Sequence, residues 1–499
     1  MSNNNLKQKG FLKDSSIYSL SSVISAGIVF ITLPIYTRFL SPADYGIIAL
    51  FIMFGQISSS LLSIGLQSAS YRYYFKYNKN IEVYKSLNFS ILIFLLFVYL
   101  LGGVGIYYLA DWFSSTLFDS KITGKLIRWS FLSGCMEYLF YYFSLILTAQ
   151  SRSVTFSVIT ISRAIIRTAF SFYFIFMYSL TYLAMIYAIL LTQGIMVISL
   201  LFLTGNLLGI QFSSYHLKKS LRFSYPMVLR IGIGAISTSF DKVMLTNFTG
   251  LISVGYYSIA DKFANLLKLI MDAVGKVWNP FFLIKAHENT EEAKKAIVSR
   301  YIEITFFFML VGFVIICFSE EAIKLLTTSE YYPAMYITPL FTYYYIIGIT
   351  SMLSIPQIQF SEKTLSILPA SIVGVTLNIT LNIFLIPKFG AIGAVVALTI
   401  SNLLGNMVRM YFGFRVYPLP LKWWKLVGMY LVTLAFVVPI YPIMASNMNF
   451  LFKIVVKLLI ILLFVITSLK LNYISKENIR LLFSKMFPKL MIRFSYQKT

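Results

Sequence analysis

The sequence predicts an all-α integral membrane protein with about 14 transmembrane helices. Its 499 residues are 58% hydrophobic and only 12% charged, and their mean hydropathy is +0.78. Soluble globular proteins are nearer one-quarter charged. Apolar runs of about 20 residues, the length with which a helix crosses a bilayer, recur from end to end. Because lipid offers no partner to exposed backbone groups, runs of this length are predicted to be helices, and no large soluble domain is expected.

The apolar runs define the predicted spans in chain order. They cover residues 16–36, 44–66, 87–110, 126–148, 154–177, 181–204, 223–245, 253–280, 301–318, 334–358, 366–386, 391–412, 426–444 and 451–469. The first ten residues are polar and basic, and no small-residue cleavage site follows the first apolar run. We therefore expect an uncleaved first span rather than a signal peptide.

Lys and Arg residues predict the orientation of the spans. With the N-terminus in the cytoplasm, the predicted inside segments hold 26 basic residues and the outside segments hold 6, Lys453 among them. An excess of this size places both termini in the cytoplasm. The net charge of +24, which in a soluble protein would suggest nucleic acid, here reports topology, and no nucleic-acid partner is expected.

The chain carries an internal repeat at a shift of 209 residues. The shift pairs the edges of spans one to six with those of spans seven to twelve, and it aligns Thr37, Phe39, Gly46 and Lys76 with Thr246, Phe248, Gly255 and Lys285. Six helices return a chain to its starting side. The repeat therefore predicts two parallel six-helix bundles, residues 1–210 and 211–420, related by a pseudo-two-fold axis along the membrane normal.

Two segments follow the predicted bundles. Residues 421–470 hold two additional transmembrane helices. Residues 471–499 alternate apolar anchors with Lys and Arg, which predicts an amphipathic helix on the anionic lipids of the inner leaflet. A disordered basic tail is the alternative.

The eighth span has a polar face. At about 100° per residue, its polar residues fall within one sector of roughly 80°: Asp261, Asn265, Lys268, Asp272 and Lys276. Shifted back by 209, they land on Ile52, Gln56, Ser59, Ser63 and Gln67. Two matching polar faces are expected if both line one cavity between the halves. Asp/Lys pairs that merely neutralise one another are the alternative.

Other ionisable residues lie deep within predicted spans and are therefore candidates for function. Arg163 and Arg167 share a face at i,i+4, and they need either an anionic ligand such as phosphate or an acidic partner, for which Glu137 is available. With Arg230 and Lys268 they form the predicted cationic substrate site. The candidates for coupling to a proton or Na⁺ gradient are Glu137, Asp241, Asp261 and Asp272.

Sequence patterns of enzymes are absent. The chain has two cysteines and two histidines, and it contains neither a Cys/His cluster nor a phosphate-binding loop nor a nucleophile elbow. A membrane enzyme stays an alternative, but no catalytic constellation supports one. We expect neither a metal nor a cofactor, and the buried carboxylates leave coupling to an ion gradient, or to membrane potential alone, as open alternatives.

Three stretches resemble the polysaccharide flippases, of the O-antigen type, within the multidrug/oligosaccharidyl-lipid/polysaccharide exporter superfamily. They are LSPADYG at 40–46, DKVML at 241–245 with VGYYSIA at 254–260, and LNIFLIPKFGAIGA at 381–394. The resemblance implies a V-shaped pair of bundles in the bacterial inner membrane. It also implies alternating-access export of undecaprenyl-diphosphate-linked oligosaccharide units for lipopolysaccharide or another surface polysaccharide.

The same resemblance implies partners and leaves one alternative. A polysaccharide polymerase and a chain-length regulator would act on the product, and the protein itself would be a monomer. A drug/cation antiporter of the same superfamily is the alternative function, although two extra spans and the basic cavity argue against it.

Overall fold

The computed structural model of the protein describes residues 2–77, 80–118, 122–361, 363–471 and 473, without the side chains of 2–16, 19, 226–231, 233, 235–238 and 364. These residues are almost entirely helical. The α-helices are α1 Ser2–Phe39, α2 Pro42–Leu62, α3 Leu66–Lys76, α4 Ile81–Phe118, α5 Gly124–Ala149, α6 Ser153–Tyr178, α7 Tyr182–Thr204, α8 Ser214–Thr249, α9 Leu251–Glu288, α10 Glu291–Cys317, α11 Ser319–Leu326, α12 Ala334–Gly348, α13 Ser351–Phe360, α14 Leu368–Val416, α15 Trp423–Val437, α16 Ile440–Ala445 and α17 Phe450–Lys470.

The predicted all-α membrane fold is confirmed. Among the described residues, ten helical segments are long and apolar enough to cross a bilayer. One of them, Leu365–Val416, covers two of the predicted spans. The predicted spans over α8, α9 and α12–α13 are not among the ten, so the total of 14 stays a prediction. In α9 the reason is the polar face, which lowers the hydropathy of any window that includes it.

One glycine explains why two predicted spans appear as a single long helix. Gly390 has φ +54° and ψ −132°, a conformation that interrupts the helical backbone inside α14. Only glycine adopts such a conformation without a Cβ clash. The segments before and after Gly390 are therefore two helices joined at a sharp kink, in agreement with the predicted break between 386 and 391.

Helix bounds repeat at the same shift of 209 residues. Helix α4 shifted by 209 would cover 290–327, and the observed pair α10–α11 runs from Glu291 to Leu326. Shifted α5 would cover 333–358, and α12–α13 run from Ala334 to Phe360. The helices of the two halves therefore have the same lengths in the same order, even though several are broken in only one half.

Helices α2 and α9 meet in a contact that follows the repeat. A Cβ on Gly46 would lie 2.2 Å from the carbonyl oxygen of Leu251, and a Cβ on Gly255 would lie 1.9 Å from that of Pro42. The shift of 209 carries Pro42 onto Leu251 and Gly46 onto Gly255. A reciprocal contact of this kind is the signature of a local two-fold relation, and glycine at both positions allows the backbones to touch.

The chain groups into two compact units. The first contains Met1–Ala260, Ile323–Ile337 and Ser371–Ser401, and the second contains Asp261–Ala322, Thr338–Ala370 and Asn402–Thr499. Aromatic and aliphatic side chains of α3, α4, α5 and α7 fill a core in the first unit. In the second, Phe313, Phe436 and Phe464 pack ring against ring, so that α10, α15 and α17 share a core. The predicted division at 210 and 420 stays a prediction.

Candidate functional site

An arginine–glutamate cluster lies where α5, α6 and α7 of the first unit meet. Arg163 Nη2 is paired with Glu137 Oε2, and Gln193 Nε2 donates to the same oxygen at 2.9 Å. Ser133 Oγ donates to Gln193 Oε1 at 2.8 Å, which fixes the amide. The Arg163 guanidinium also lies 4.3 Å from the centroid of the Phe140 ring. Four side chains thus hold one cation in a defined place.

Arg167 lies one turn further along the same face of α6. Its side chain is half-buried, and it forms no salt bridge with a carboxylate among the described side chains. Glu137, which is paired with Arg163, acts on Arg167 electrostatically. The cluster therefore contains two guanidinium groups and one carboxylate. Of the two predicted alternatives, the acidic partner is present for Arg163, while Arg167 keeps a charge that an anionic ligand could neutralise.

The remaining predicted cations differ in what the structure describes. Lys268 on α9 is exposed, and its ammonium has no carboxylate partner among the described side chains. Arg230 lies on the backbone of α8, but its side chain is outside the described residues. Lys268 belongs to the second unit, whereas Arg163 and Arg167 belong to the first.

The charged residues of the α9 polar face differ in whether they have a partner. Tyr345 Oη donates to Asp261 Oδ1 at 2.7 Å, and this carboxylate is half-buried. Asp272 is exposed and interacts electrostatically with Lys276, one turn further along. Asn265 is half-buried. The acids are thus held by a tyrosine and by Lys276, which leaves Lys268 available for a ligand.

Two of the matching polar residues in and next to α2 donate their side-chain hydrogen bonds to backbone carbonyls of the same helix. Ser59 Oγ donates to the Gly55 carbonyl at 2.7 Å, and Ser63 Oγ donates to the Ser60 carbonyl at 2.7 Å. Both serines are buried, whereas Gln56 is exposed. Gln56 is therefore the member of the predicted set on α2 that presents its side chain to a surface.

A buried carboxylate with three polar neighbours lies where α8, α9 and α14 of the first unit meet. Asp241 is fully buried, Tyr257 Oη donates to its Oδ2 at 2.7 Å, and Asn382 Nδ2 donates to its Oδ1. Asn382 Nδ2 also lies 3.3 Å from Asn378 Oδ1. Two buried amide atoms, Asn378 Nδ2 and Asn382 Oδ1, have no hydrogen-bond partner. The group can accept a proton on the carboxylate, and its oxygen atoms are of the kind that bind Na⁺.

Sequence reasoning named Asp241 but missed its neighbours. Tyr257 and Asn382 fall inside two of the stretches that carry the family resemblance, which was the available signal. Asn378 lies one turn before Asn382 on the same face of α14, so helical spacing could have found it.

The sequence also missed a buried ionic cluster in the second unit. Lys457 Nζ lies 3.1 Å from Glu320 and 2.7 Å from Glu321, and Lys453 Nζ lies 3.0 Å from Glu320. Lys453 also donates to the Met444 carbonyl at 3.1 Å. The sequence counted Lys453 among the outside segments, and its side of the membrane stays a prediction. Helix α17 begins at Phe450, which puts this lysine in the first turn of the helix, where it belongs to a group of four charges that pair with one another.

Comparison with known proteins identifies the family. Residues 11–283, more than half of the chain, match the family described as polysaccharide biosynthesis protein. The protein belongs to this family. The matched part of the chain contains the Arg163 cluster, Asp241 and the α9 polar face. The predicted recognition of a polysaccharide flippase family is thereby confirmed.

One curated relative and two solved structures resemble this chain over most of its length. An uncharacterized membrane protein of Methanocaldococcus jannaschii is 26% identical over 440 residues, which cover 80% of this chain and 83% of the relative. The lipid II flippase MurJ in an inward closed conformation has a TM-score of 0.69 at 17% identity, covering 90% of this chain and 98% of MurJ.

An inward-facing multidrug resistance transporter of the MATE family and MOP superfamily has a TM-score of 0.61 at 15% identity, covering 81% and 94% of the two chains. These likenesses establish the fold. Together with the family match and the ten apolar helical segments among the described residues, they show that the chain is a multi-pass membrane protein.

Proposed function

We propose that the protein is a flippase that moves undecaprenyl-diphosphate-linked oligosaccharide repeat units across the bacterial inner membrane by alternating access. The observation that carries the proposal is the Arg163–Glu137–Arg167 cluster. A net positive group of side chains deep in a membrane protein is costly unless an anion compensates it. A diphosphate supplies that anion, and planar guanidinium groups bind phosphate oxygens through paired hydrogen bonds.

Each cation has a distinct part in this proposal. Arg163 is oriented by Glu137 and by the Phe140 ring, so it presents its remaining N–H groups in a fixed direction. Arg167 contributes the uncompensated charge. Arg230 and Lys268 complete the predicted cationic site, and Gln56 and Asn265 provide hydrogen bonds to sugar hydroxyls. The polyprenyl chain stays in lipid, because its transfer into a polar cavity would be unfavourable.

Energy coupling is proposed to involve a buried carboxylate. Asp241 is the strongest of the four candidates, because it is fully buried with three polar neighbours, two of which retain unpaired atoms. Glu137 is occupied by Arg163 and Gln193, Asp261 by Tyr345, and Asp272 by Lys276. A proton or Na⁺ that bound Asp241 would remove its charge and change how α8 and α14 pack. Membrane potential acting on an anionic substrate is the alternative driving force.

The proposal also includes the topology, the partners and the oligomeric state of the protein. Both termini would lie in the cytoplasm, a polysaccharide polymerase and a chain-length regulator would act on the exported units, and the flippase would work as a monomer. The glycan would be an O-antigen or another surface polysaccharide.

A deletion strain tests the function. We expect loss of the protein to cause lipid-linked repeat units to accumulate on the cytoplasmic side, and the wild-type gene to restore surface glycan. Arg163→Ala, Arg167→Ala, Arg230→Ala and Lys268→Ala should fail to restore it at unchanged membrane levels. Lys285→Ala is the matched control, because this partly exposed lysine pairs with Glu288 outside the site. Normal glycan in all four variants would refute the cationic site.

The same strain separates the alternative. Normal surface glycan together with increased sensitivity to cationic drugs would identify a drug/cation antiporter instead.

A further inference from the structure

An apolar groove runs along the first unit, away from the Arg163 cluster and from Asp241. Its volume is about 730 Å³, within the range of small-molecule sites. Helix α5 forms the floor with the buried side chains of Phe131 and Cys135. Helix α4 forms one wall, in which Leu100 is 68% exposed, and α7 forms the other, in which Ile198 is 56% exposed. A groove of this kind must be filled in a membrane, since a void forfeits dispersion contacts.

Two glycines create the space. Gly103 on α4 and Gly194 on α7 both line the groove. A Cβ on Gly194 would meet nothing within 4 Å, and a Cβ on Gly103 would meet only the Phe131 ring, at 3.5 Å. Neither glycine is therefore required by close helix packing. Their shared effect is to leave room for something else.

One end of the groove is cationic. Arg128 lies there, its Nε donates to the Tyr107 carbonyl at 3.2 Å, and its Nη2 donates to Asp111 at 2.8 Å. A guanidinium group has five N–H donors, so three remain. Lys125, one turn earlier on α5, is exposed over the Trp129 ring. The groove therefore ends at a guanidinium group with N–H donors that can bind a phosphate, and a second cation, Lys125, lies one turn away on the same helix.

The length of the groove matches one leaflet. Arg128 and Leu139 mark its extent along α5, and eleven residues of helix span roughly 16 Å. Half of the hydrocarbon core of a bilayer is about 15 Å thick. A ligand with its phosphate at Arg128 would thus place one hydrocarbon chain along the whole floor and end it at the bilayer centre.

We propose that this groove is a binding site for one anionic phospholipid of the adjacent leaflet, with its phosphate on Arg128 and one acyl chain between α4 and α7. The lipid fills the space left by Gly103 and Gly194 and supports α5, which carries Glu137 on another face. The site is independent of the proposed flippase function, because it requires neither the substrate nor transport.

Photo-crosslinking tests the site in vesicles of phosphatidylcholine that contain a small fraction of phosphatidylglycerol with a diazirine on one acyl chain. Mass spectrometry should map the crosslinks of the wild-type protein to groove residues of α4, α5 and α7. Gly194→Leu should lower them at least about fivefold, because the leucine occupies the space of the chain. Gly103→Leu should act in the same direction and serves as the second variant if Gly194→Leu fails to fold.

Gly105→Leu is the matched control. This glycine is two residues from Gly103 on α4, a Cβ there meets nothing within 4 Å, and it does not line the groove. Arg128→Gln should remove the preference for phosphatidylglycerol over an equally labelled phosphatidylcholine. Crosslinks that spread evenly around the protein would overturn the proposal, and so would a loss of crosslinks in Gly105→Leu as large as in Gly194→Leu. A loss of groove crosslinks when undecaprenyl diphosphate is added would also overturn it, because the groove would then bind the substrate lipid.

Discussion

At the scale of single residues, the protein compensates charge within its helices in different ways. Glu137 is paired with an arginine, Asp241 is held by a tyrosine and an asparagine, and Lys457 is buried between two glutamates. A charge in lipid costs at least about 2.5–3.5 kcal/mol without a partner. These partners differ in how fully they neutralise the charge and in whether they leave room for a ligand. The two differences distinguish charged side chains with a structural role from those with a proposed functional role.

Lys457→Met should destabilise the protein strongly. The substitution leaves buried Glu320 with Lys453 as its remaining cation and takes the Lys457 ion pair away from half-buried Glu321. Breaking a buried pair typically costs about 3–5 kcal/mol. Thermal unfolding of the purified protein in one detergent measures the effect. Lys285→Met removes a partly exposed partner of Glu288 and should change the unfolding free energy by less than about 1 kcal/mol. Equal melting temperatures of the two variants would show that the buried cluster is not structural.

Asp241→Asn should uncouple transport without unfolding the protein. Asparagine keeps the shape of the side chain but carries no charge to be neutralised by a proton or Na⁺. We expect vesicles with the wild-type protein to respond to an imposed gradient of one of these ions, and vesicles with Asp241→Asn to lose that response. Glu288→Gln, an exposed substitution, should retain it. If vesicles with Asp241→Asn still respond to the imposed gradient, Asp241 is not the coupling group and another carboxylate must be.

At the scale of helices, close backbone contacts determine where elements can pack. Gly46 and Gly255 allow α2 and α9 to touch through a reciprocal contact whose members are related by the internal repeat. A side chain at either position must push a carbonyl oxygen away. Backbone atoms cannot yield as flexible side chains do, so the helices themselves would have to separate.

Gly46→Ala and Gly255→Ala should each lower stability by roughly 1–3 kcal/mol, the usual cost of overpacking. The effects should be similar in size, because the two contacts are equivalent. Gly105→Ala, on the open side of α4, is the control and should leave thermal unfolding nearly unchanged or slightly raise the melting temperature. A marked difference between Gly46→Ala and Gly255→Ala would contradict the reciprocal geometry.

The positions of the helices could be predicted from the sequence where a helix coincides with an apolar run. Apolar runs located α4, α5 and α10, but they could not locate the break between α2 and α3 at Ile64 and Gly65, where both residues have positive φ. Deep charges identified Arg163 and Asp241 as candidates. Gln193, which donates to the Arg163 partner Glu137, and Asn382, which donates to Asp241, were missed. Neutral amides are common in membrane helices, and only their proximity in the fold makes them informative.

At the scale of the whole molecule, the sequence repeat indicates a membrane protein with two related halves. Helix bounds agree between α1–α7 and α8–α14 at the shift of 209 residues. The predicted inside segments hold 26 Lys and Arg residues and the predicted outside segments hold 6, which favours cytoplasmic termini. A chain built in this way can expose one site alternately to each side of the membrane if one half moves against the other.

The most direct test of the flippase proposal is movement of its substrate. Purified protein would be reconstituted into vesicles with a fluorescent undecaprenyl-diphosphate-linked oligosaccharide, and transfer between leaflets would be followed by chemical quenching from outside. We predict rapid transfer with the wild-type protein, and transfer no faster than in protein-free vesicles with the Arg163→Gln/Arg167→Gln double variant. Wild-type protein that does not accelerate transfer under any imposed ion gradient or membrane potential would contradict the proposal.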